Sequence, residues 1–241
     1  DSIIELCFVK IMPGGEQRVK TWRVKPWDYI NDCQREINPS AQAVHGISAE
    51  DVVVASTGVI GQPLDIEPIK NGIPELVSGL ANNKSLDAAL GIMTKDTKEK
   101  EIAISFTIGG KECKIGGIAK GSGMIHPNMA TMLCFITTDC MIKKELLQKA
   151  LSDIVKDTFN MISVDGDTST NDMVCIMANG KAGNAEITEE SADFEIFKEA
   201  LFAVSVKLSR LIAGDGEGAQ RLLECKVTGA PEEKTAKDIA K

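Results

Sequence analysis

The clearest pattern in the chain is a pair of alternating segments separated by two glycines. Polar and apolar residues alternate strictly in Glu101–Ile108, and one face carries Ile102, Ile104, Phe106 and Ile108. Lys111–Ile118 follows after Gly109-Gly110. Glycine readily adopts the positive φ of a two-residue turn, so the pattern predicts a tight antiparallel β-hairpin.

Further apolar runs predict more strands, and periodic apolar positions predict helices. The predicted strands are Asp51–Ser56, Met132–Thr138, Met173–Ala178 and Leu222–Thr228. The predicted helices are Pro63–Leu80 (broken at Gly72 and Pro74), Ser85–Met93, Ile142–Val155, one from a cap at Ser191 to Leu211, and one from Pro231. The first 47 residues hold neither periodicity. This mixture predicts an α/β fold of the α+β type, with helices layered on mixed or antiparallel sheets.

Composition narrows the class of protein. The formal net charge of −8, without a run rich in Lys or Arg, argues against nucleic-acid partners and attraction to anionic membranes. The sequence contains no apolar run long enough to span a membrane. The seven cysteines are scattered without a CxxC pair, which favours small core residues in a reducing cytoplasm. Because the chain has only two histidines, we expect no metal site.

Three polar, glycine-rich loops interrupt the apolar pattern: Ser56–Gly61, Lys120–Leu133 and Val164–Asp172. The first follows a predicted strand, so its backbone N–H groups could stabilise an oxyanion, or it could be a plain turn. In the second, Thr131 could be a nucleophile whose own α-amine serves as base if the preceding bond were cut. Otherwise this is an ordinary loop. The third lacks the spacing of a calcium loop, and a buried turn satisfied by Asp and Thr side chains is the favoured interpretation.

The same loops carry motifs that resemble the ornithine acetyltransferase family, also called bifunctional glutamate N-acetyltransferases. The matching motifs lie between about Asp51 and Gly229, in the same order as in the family: STGVIG, IMT.DT, IGGIAKGSGMIHPNMATML, FN.I.VDGDTSTND and DGEGA. The resemblance implies a fold related to the N-terminal-nucleophile hydrolases. It also implies an arginine-biosynthesis enzyme that moves acetyl from N-acetylornithine to glutamate.

Residue roles follow from the motifs by resemblance. The chain would cleave itself between Ala130 and Thr131, and Thr131 would be the nucleophile. Thr57 and Gly58 would form the oxyanion hole, while the substrate would be contacted by Thr94, Lys120, Thr131 and Glu217. No cofactor is implied. Some members also use acetyl-CoA as donor, and the sequence leaves that open. The two cleaved chains would assemble together and into a higher oligomer.

The chain departs from the family at its ends. Residues 1–47 do not match and are treated as a divergent region, 48–229 as the catalytic domain, and 230–241 as the start of a truncated C-terminal region. Lys95 replaces a threonine of the family's pattern. We therefore expect self-cleavage with weak transfer. The alternatives are a self-processing aminopeptidase or amidase that hydrolyses its acyl-enzyme, and an inactive fragment.

Overall fold

A six-stranded mixed sheet is the centre of the fold. The computed structural model describes residues 55, 57, 63, 65–81, 83–125, 132–167, 169 and 172–240, and the backbone of four strands before them. The strands are β1 (Glu5–Ile11), β2 (Gln17–Arg18), β3 (Trp27–Asp28), β4 (Cys33–Gln34), β5 (Lys100–Ile108), β6 (Lys111–Lys120), β7 (Leu133–Thr138) and β8 (Met173–Ala178). The helices are α1 (Glu67–Ser78), α2 (Ser85–Gly91), α3 (Lys144–Ile154), α4 (Ala192–Gly214) and α5 (Glu233–Ala240).

The strand order in the main sheet is β2-β1-β8-β7-β6-β5, and β3 pairs with β4 separately. Strands β5, β6 and β7 are antiparallel neighbours, whereas β7 and β8 run parallel. The parallel pair is connected through α3 and two short 3₁₀ turns, as a parallel connection requires a crossover. The sheet is therefore mixed and carries helices, which confirms the predicted fold class.

The predicted hairpin is confirmed. Ile108 pairs with Lys111, and the two glycines between them have φ values of 55° and 77°. Two consecutive positive φ angles are the requirement of the tight turn that matches the twist of the strands. The apolar face of β5 lies against α4, where the rings of Phe106 and Phe197 meet edge to face with centroids 6.2 Å apart.

Helix α4 provides most of the helical side of the core. Its cap is the predicted one: the Ser191 hydroxyl accepts a hydrogen bond from the Phe194 N–H. Full burial of a large apolar side chain stabilises a fold by about 1.5–3 kcal/mol, and this helix buries Phe194, Phe197, Leu201, Val204, Leu208 and Ile212 completely. A Cβ at Gly117 of β6 would lie 3.1 Å from Leu208 Cδ1, so glycine permits the close contact between helix and sheet.

Three predicted elements are wrong in detail. Helix α1 starts at Glu67 and continues through Gly72 and Pro74, and none of its residues is buried. Ile142 precedes α3 and forms an isolated bridge with Ile187. Residues 222–228 form no strand, and the side chain of Leu223 is 88% exposed.

The remaining predictions have mixed outcomes. Helices α2 and α5 and strands β7 and β8 are confirmed within a few residues at each end. The predicted strand Asp51–Ser56 lies outside the described residues. Of the five cysteines that the structure describes, four are buried as predicted and Cys225 is exposed. None of the described helices has the length and apolar character needed to cross a membrane.

Candidate functional site

The polar loops meet at one end of the main sheet. Lys120, the last residue of β6, pairs with Leu133, the first residue of β7, and Leu133 pairs in turn with Met173, the first residue of β8. Strand β5 starts at the same end, because Lys100 pairs with Ala119. The loop after β6 and the loop before β8 therefore emerge side by side, although about 40 residues separate them in the sequence.

Lys120 contacts two of the other predicted site residues, Thr57 and Thr94. Its side chain is buried, and Nζ donates to the hydroxyl of Thr57 at 2.8 Å and to the hydroxyl of Thr94 at 3.3 Å. Burial lowers the pKa of Lys120, and the charges of Asp96 and Asp172 oppose that shift. Lys120 is therefore a buried donor that links the two threonine hydroxyls.

Asp96 ties the loop before β5 to the loop after β6. Its Oδ1 atom accepts hydrogen bonds from the Gly121 N–H at 2.7 Å and from Lys100 Nζ at 2.6 Å, while Oδ2 accepts from the Thr94 N–H at 3.2 Å. Burial alone would raise the pKa of Asp96, but these donors outweigh it and hold the pKa below its usual value. The carboxylate thus fixes the backbone on both sides of the Lys120–Thr94 contact.

Lys100 is buried between two carboxylates. Nζ lies 2.6 Å from Asp96 and 2.6 Å from Asp215, and the lysine side chain is only 1% exposed. Asp215, just after α4, also accepts hydrogen bonds from the Thr97 N–H and hydroxyl and from the Lys98 N–H. The two carboxylates compensate the buried charge, and the triad joins α4 to the loop carrying Thr94.

Glu217 lies close to the same loops but on their exposed side. Its N–H donates to the Ser122 carbonyl at 2.5 Å, and its carboxylate contacts Lys95 Nζ at 2.9 Å. A Cβ at Gly123 would approach Glu217 Oε2 to 2.9 Å, so the glycine leaves room for this carboxylate. The ion pair with Lys95 is one that the threonine of the family's pattern would not form.

The loop before β8 contains the turn that the sequence favoured. Asp165 accepts hydrogen bonds from the N–H groups of Met124, Ile125 and Asp167. These bonds hold the pKa of Asp165 below its usual value although burial opposes the shift. The turn satisfied by an aspartate is confirmed, but residues 165–167 are exposed rather than buried. The hydrogen bonds of Asp165 connect the loop before β8 to the loop after β6.

Asp172 lies at the end of that loop and contacts the start of β7. Its Oδ1 accepts a hydrogen bond from the Met132 N–H at 2.8 Å. Oδ2 is buried and has no hydrogen-bond partner in the part of the chain that the structure describes. Burial raises the pKa of Asp172 to about 8, against the opposing effects of the Met132 N–H and the charge of Lys120.

The structure thus brings Thr57, Thr94 and Lys120 together, with Glu217 on a neighbouring loop. Gly58, Ala130 and Thr131 lie outside the described residues, so their roles stay predictions. In the described segments no group of three or more His, Cys, Asp or Glu side chains is arranged to hold a metal ion.

Four buried or partly buried charged residues at this end of the sheet had no predicted role: Asp96, Lys100, Asp172 and Asp215. Three of them belong to motifs that the sequence singled out, IMT.DT, VDGDTSTND and DGEGA, so a signal existed for them. Lys100 lies in none of these motifs, and a lysine at the first position of an alternating strand normally faces water.

Most of this chain is similar in sequence to proteins of one family. The model of the ArgJ family matches residues 30–241. An arginine biosynthesis bifunctional protein ArgJ 1 from Clostridium acetobutylicum is 54% identical over 198 residues, covering 81% of this chain and 48% of that protein. The arginine biosynthesis bifunctional protein ArgJ of Bacillus subtilis is 52% identical over 196 residues, with coverage of 81% and 48%.

A crystal structure of an arginine biosynthesis bifunctional protein ArgJ from Bacillus halodurans is 50% identical and superimposes with a TM-score of 0.42, over 43% of this chain and 48% of that one. The chain spans about half the length of the curated relatives it matches.

Proposed function

This chain belongs to the ArgJ family, and we propose that it supplies the acetyl-transfer site of an arginine-biosynthesis enzyme. In the proposed reaction, acetyl passes from N-acetylornithine to glutamate through an ester on Thr131. The observation that carries the proposal is the contact of Lys120 with Thr57 and Thr94, because it unites three segments that the family resemblance assigned to one site.

The first proposed step is cleavage of the bond between Ala130 and Thr131. Thr131 Oγ adds to the Ala130 carbonyl carbon, the C–N bond breaks, and the proton passes to the nitrogen. Water then hydrolyses the resulting ester, which restores the hydroxyl and leaves a free α-amine on Thr131. That amine has an ordinary pKa of about 7.7–8.0, suitable for a general base near neutral pH.

Acetyl transfer then takes two substitutions at the acetyl carbonyl carbon, with Thr131 Oγ as the nucleophile in the first and the leaving group in the second. Thr131 Oγ attacks the acetyl carbonyl of N-acetylornithine while its proton moves to the α-amine, and ornithine departs with that proton. The amine of glutamate then attacks the acetyl ester, the bond to Thr131 Oγ breaks, and the α-amine passes the proton lost by glutamate to that oxygen. Both steps develop negative charge on the carbonyl oxygen, which the Thr57 hydroxyl and the Gly58 N–H would stabilise.

The geometry at Thr57 supports this oxyanion role. A threonine hydroxyl has one hydrogen to donate and two lone pairs that accept. Because Lys120 donates to the Thr57 oxygen, the hydroxyl hydrogen is left to point toward another acceptor. The nearby ammonium group also makes that hydrogen a stronger donor, as expected for a charge-assisted network.

The two cleavage products would remain together because the cut falls between paired strands. Strand β6 belongs to the N-terminal piece, and β7 and α4 belong to the C-terminal piece. The antiparallel pairing of β6 with β7 and the packing of α4 on β5 and β6 continue across the cut. We therefore propose one folded unit made from both pieces, and further copies in an oligomer.

The decisive experiment is mass spectrometry of the purified protein. We expect a fragment beginning at Thr131, and Thr131→Ala should give the intact chain alone. Thr137→Ala is the matched control, because Thr137 is an exposed threonine of β7. A folded wild-type protein that stays intact would contradict the proposal.

Acetyl-labelled N-acetylornithine then distinguishes transfer from hydrolysis. Label should appear in N-acetylglutamate when glutamate is present. Label found only in free acetate would instead identify a self-processing amidase. Replacing N-acetylornithine by labelled acetyl-CoA in the same assay tests whether that donor is also accepted.

A further inference from the structure

The side chain of Asp96 joins two of the segments that form the candidate site. It is only 1% exposed, and both of its oxygens accept hydrogen bonds. Oδ1 accepts from the Gly121 N–H at 2.7 Å and from Lys100 Nζ at 2.6 Å, while Oδ2 accepts from the Thr94 N–H at 3.2 Å. Gly121 directly follows Lys120, so the carboxylate holds the main chain beside both partners of the Lys120–Thr94 hydrogen bond.

Asp96 is also the charged carboxylate that acts on Lys120. The two carboxyl groups whose charges affect Lys120 are those of Asp96 and Asp172. Burial raises the pKa of Asp172 to about 8, so that group is largely protonated at neutral pH. Burial alone would raise the pKa of Asp96 too, but its hydrogen-bond donors outweigh that effect and hold the pKa below its usual value. Asp96 is therefore ionised where Asp172 is not.

The cation in direct contact with Asp96 does not cancel this charge. Lys100 Nζ lies 2.6 Å from Asp96 and also 2.6 Å from Asp215. One positive charge between two carboxylates leaves the group with a net negative charge. The other buried lysine of the described residues is Lys120, and a negative charge close to a buried ammonium stabilises it.

We propose that Asp96 is a positioning residue for the proposed acetyl-transfer site. Its hydrogen bonds fix Thr94 and the main chain at Lys120, and its charge stabilises the Lys120 ammonium. A charged ammonium donates to the hydroxyls of Thr57 and Thr94 more strongly than a neutral amine would. This inference rests on the proposed function, because it assigns Asp96 to the reaction proposed for that site.

The variant Asp96→Asn tests the effect of the charge. The asparagine amide is close in size to the carboxylate and keeps one acceptor oxygen, but it has no charge. The pKa of Lys120 should fall by about half a pH unit or more, because a nearby negative charge is lost. This titration can be followed by NMR of labelled lysine side chains, and the signal that is missing in Lys120→Met identifies Lys120.

Transfer kinetics of the same variant test the positioning. We expect kcat/KM for transfer from N-acetylornithine to glutamate to fall at least ~10-fold, because a displacement of about 1 Å can cost ~100-fold in rate. KM for N-acetylornithine should rise at least ~3-fold, since Thr94 and Lys120 are the proposed substrate contacts. A smaller folded fraction would lower only the apparent kcat, so the rise in KM distinguishes positioning from a purely structural role.

The matched control is Asp215→Asn. It also removes a carboxylate partner of Lys100, but the other hydrogen bonds of Asp215 lie within the loop before β5. The free energy of unfolding should fall as it does in Asp96→Asn, whereas the pKa of Lys120 should stay at its wild-type value. An equal fall of the Lys120 pKa in both variants would overturn the inference, because the effect would not belong to Asp96.

The inference and the proposed function can fail separately. An unchanged Lys120 pKa or an unchanged KM in Asp96→Asn would overturn the inference and leave the proposed function intact. A wild-type protein that transfers no acetyl would overturn the proposed function, and the Lys120 titration would still test the contribution of Asp96.

If Asp96→Asn does not fold, hydrogen exchange in the wild type tests the positioning. The Gly121 and Thr94 amides should exchange at least ~10-fold more slowly than in an unstructured peptide, because Asp96 accepts a hydrogen bond from each. Exchange of either amide at the unstructured rate would overturn the inference.

Discussion

The Nζ atom of Lys120 lies 2.8 Å from the hydroxyl oxygen of Thr57, across 63 positions of sequence. The lysine is only 2% exposed, so this hydrogen bond is sheltered from water. It joins a residue expected to bind substrate to one expected to stabilise the oxyanion. A change at Lys120 should therefore affect the chemical step as well as substrate binding.

Lys120→Met tests that relationship. Methionine has an unbranched side chain of similar length, so the buried space stays filled while the charge and the donor are lost. We expect kcat/KM for acetyl transfer to fall about 100-fold, with the midpoint of thermal unfolding within about 3 °C of the wild type.

Lys114→Met is the control for this substitution, because Lys114 is an exposed lysine of the same strand and should leave both measurements unchanged. If Lys120→Met instead unfolds at a much lower temperature, Lys120 is a structural residue and the assignment to the site is wrong.

Lys95→Thr tests the exposed ion pair with Glu217. The lysine and glutamate side chains are 71% and 55% exposed, so the pair should stabilise the fold by less than about 1 kcal/mol. Removing Lys95 frees the carboxylate for a cationic part of the substrate, and KM for N-acetylornithine should fall a few-fold. The control is Lys98→Thr on the same loop. Higher KM after Lys95→Thr would show that Lys95 itself contacts the substrate.

Lys100→Met should be strongly destabilising. The substitution leaves Asp96 and Asp215 buried without their shared cation, and breaking a buried ion pair costs about 3–5 kcal/mol. Urea unfolding should show this loss directly. Lys149→Met is the contrasting case, because Lys149 makes only exposed pairs with Asp153 and Glu190 and should cost less than about 1 kcal/mol. Equal losses of unfolding free energy in the two variants would show that the buried triad stabilises the fold no more than an exposed ion pair does.

Asp172 should make stability depend on pH in a particular direction. The folded-state pKa is raised to about 8 from an ordinary value of 3.8. Between these values the folded protein retains a proton that the unfolded chain has released, so this group lowers stability as pH rises. In urea unfolding at pH 5, 7 and 8.5, Asp172→Asn should therefore gain stability relative to wild type as pH rises. A constant difference would mean that the carboxyl is ionised throughout.

Local sequence patterns were enough to predict those elements that depend only on residues close to one another in the sequence. The hairpin around Gly109-Gly110 depends on a turn only two residues long, and α4 depends on one cap and one apolar stripe, so both were predicted with their correct faces. The strand predicted for residues 222–228 is absent, because β-branched and apolar residues form a strand only where a neighbouring strand can pair with them. The predicted break at Gly72 and Pro74 was wrong, because α1 runs through both positions on an exposed part of the fold.

By itself, the sequence determined the family, the mixed α/β class and the short list of polar loops, because motif spacing and periodicity are properties of neighbouring residues. Only the tertiary structure decided that Lys120 meets Thr57 and Thr94, that Lys100 is buried between Asp96 and Asp215, and that Asp172 contacts Met132. Apart from the local Lys100–Asp96 pair, these contacts join positions 26 to 115 residues apart, and they exist because four strands of one sheet begin or end at the same end of that sheet. The burial that shifts the pKa values of Lys120 and Asp172 is likewise a property of that packed edge, which no local pattern encodes.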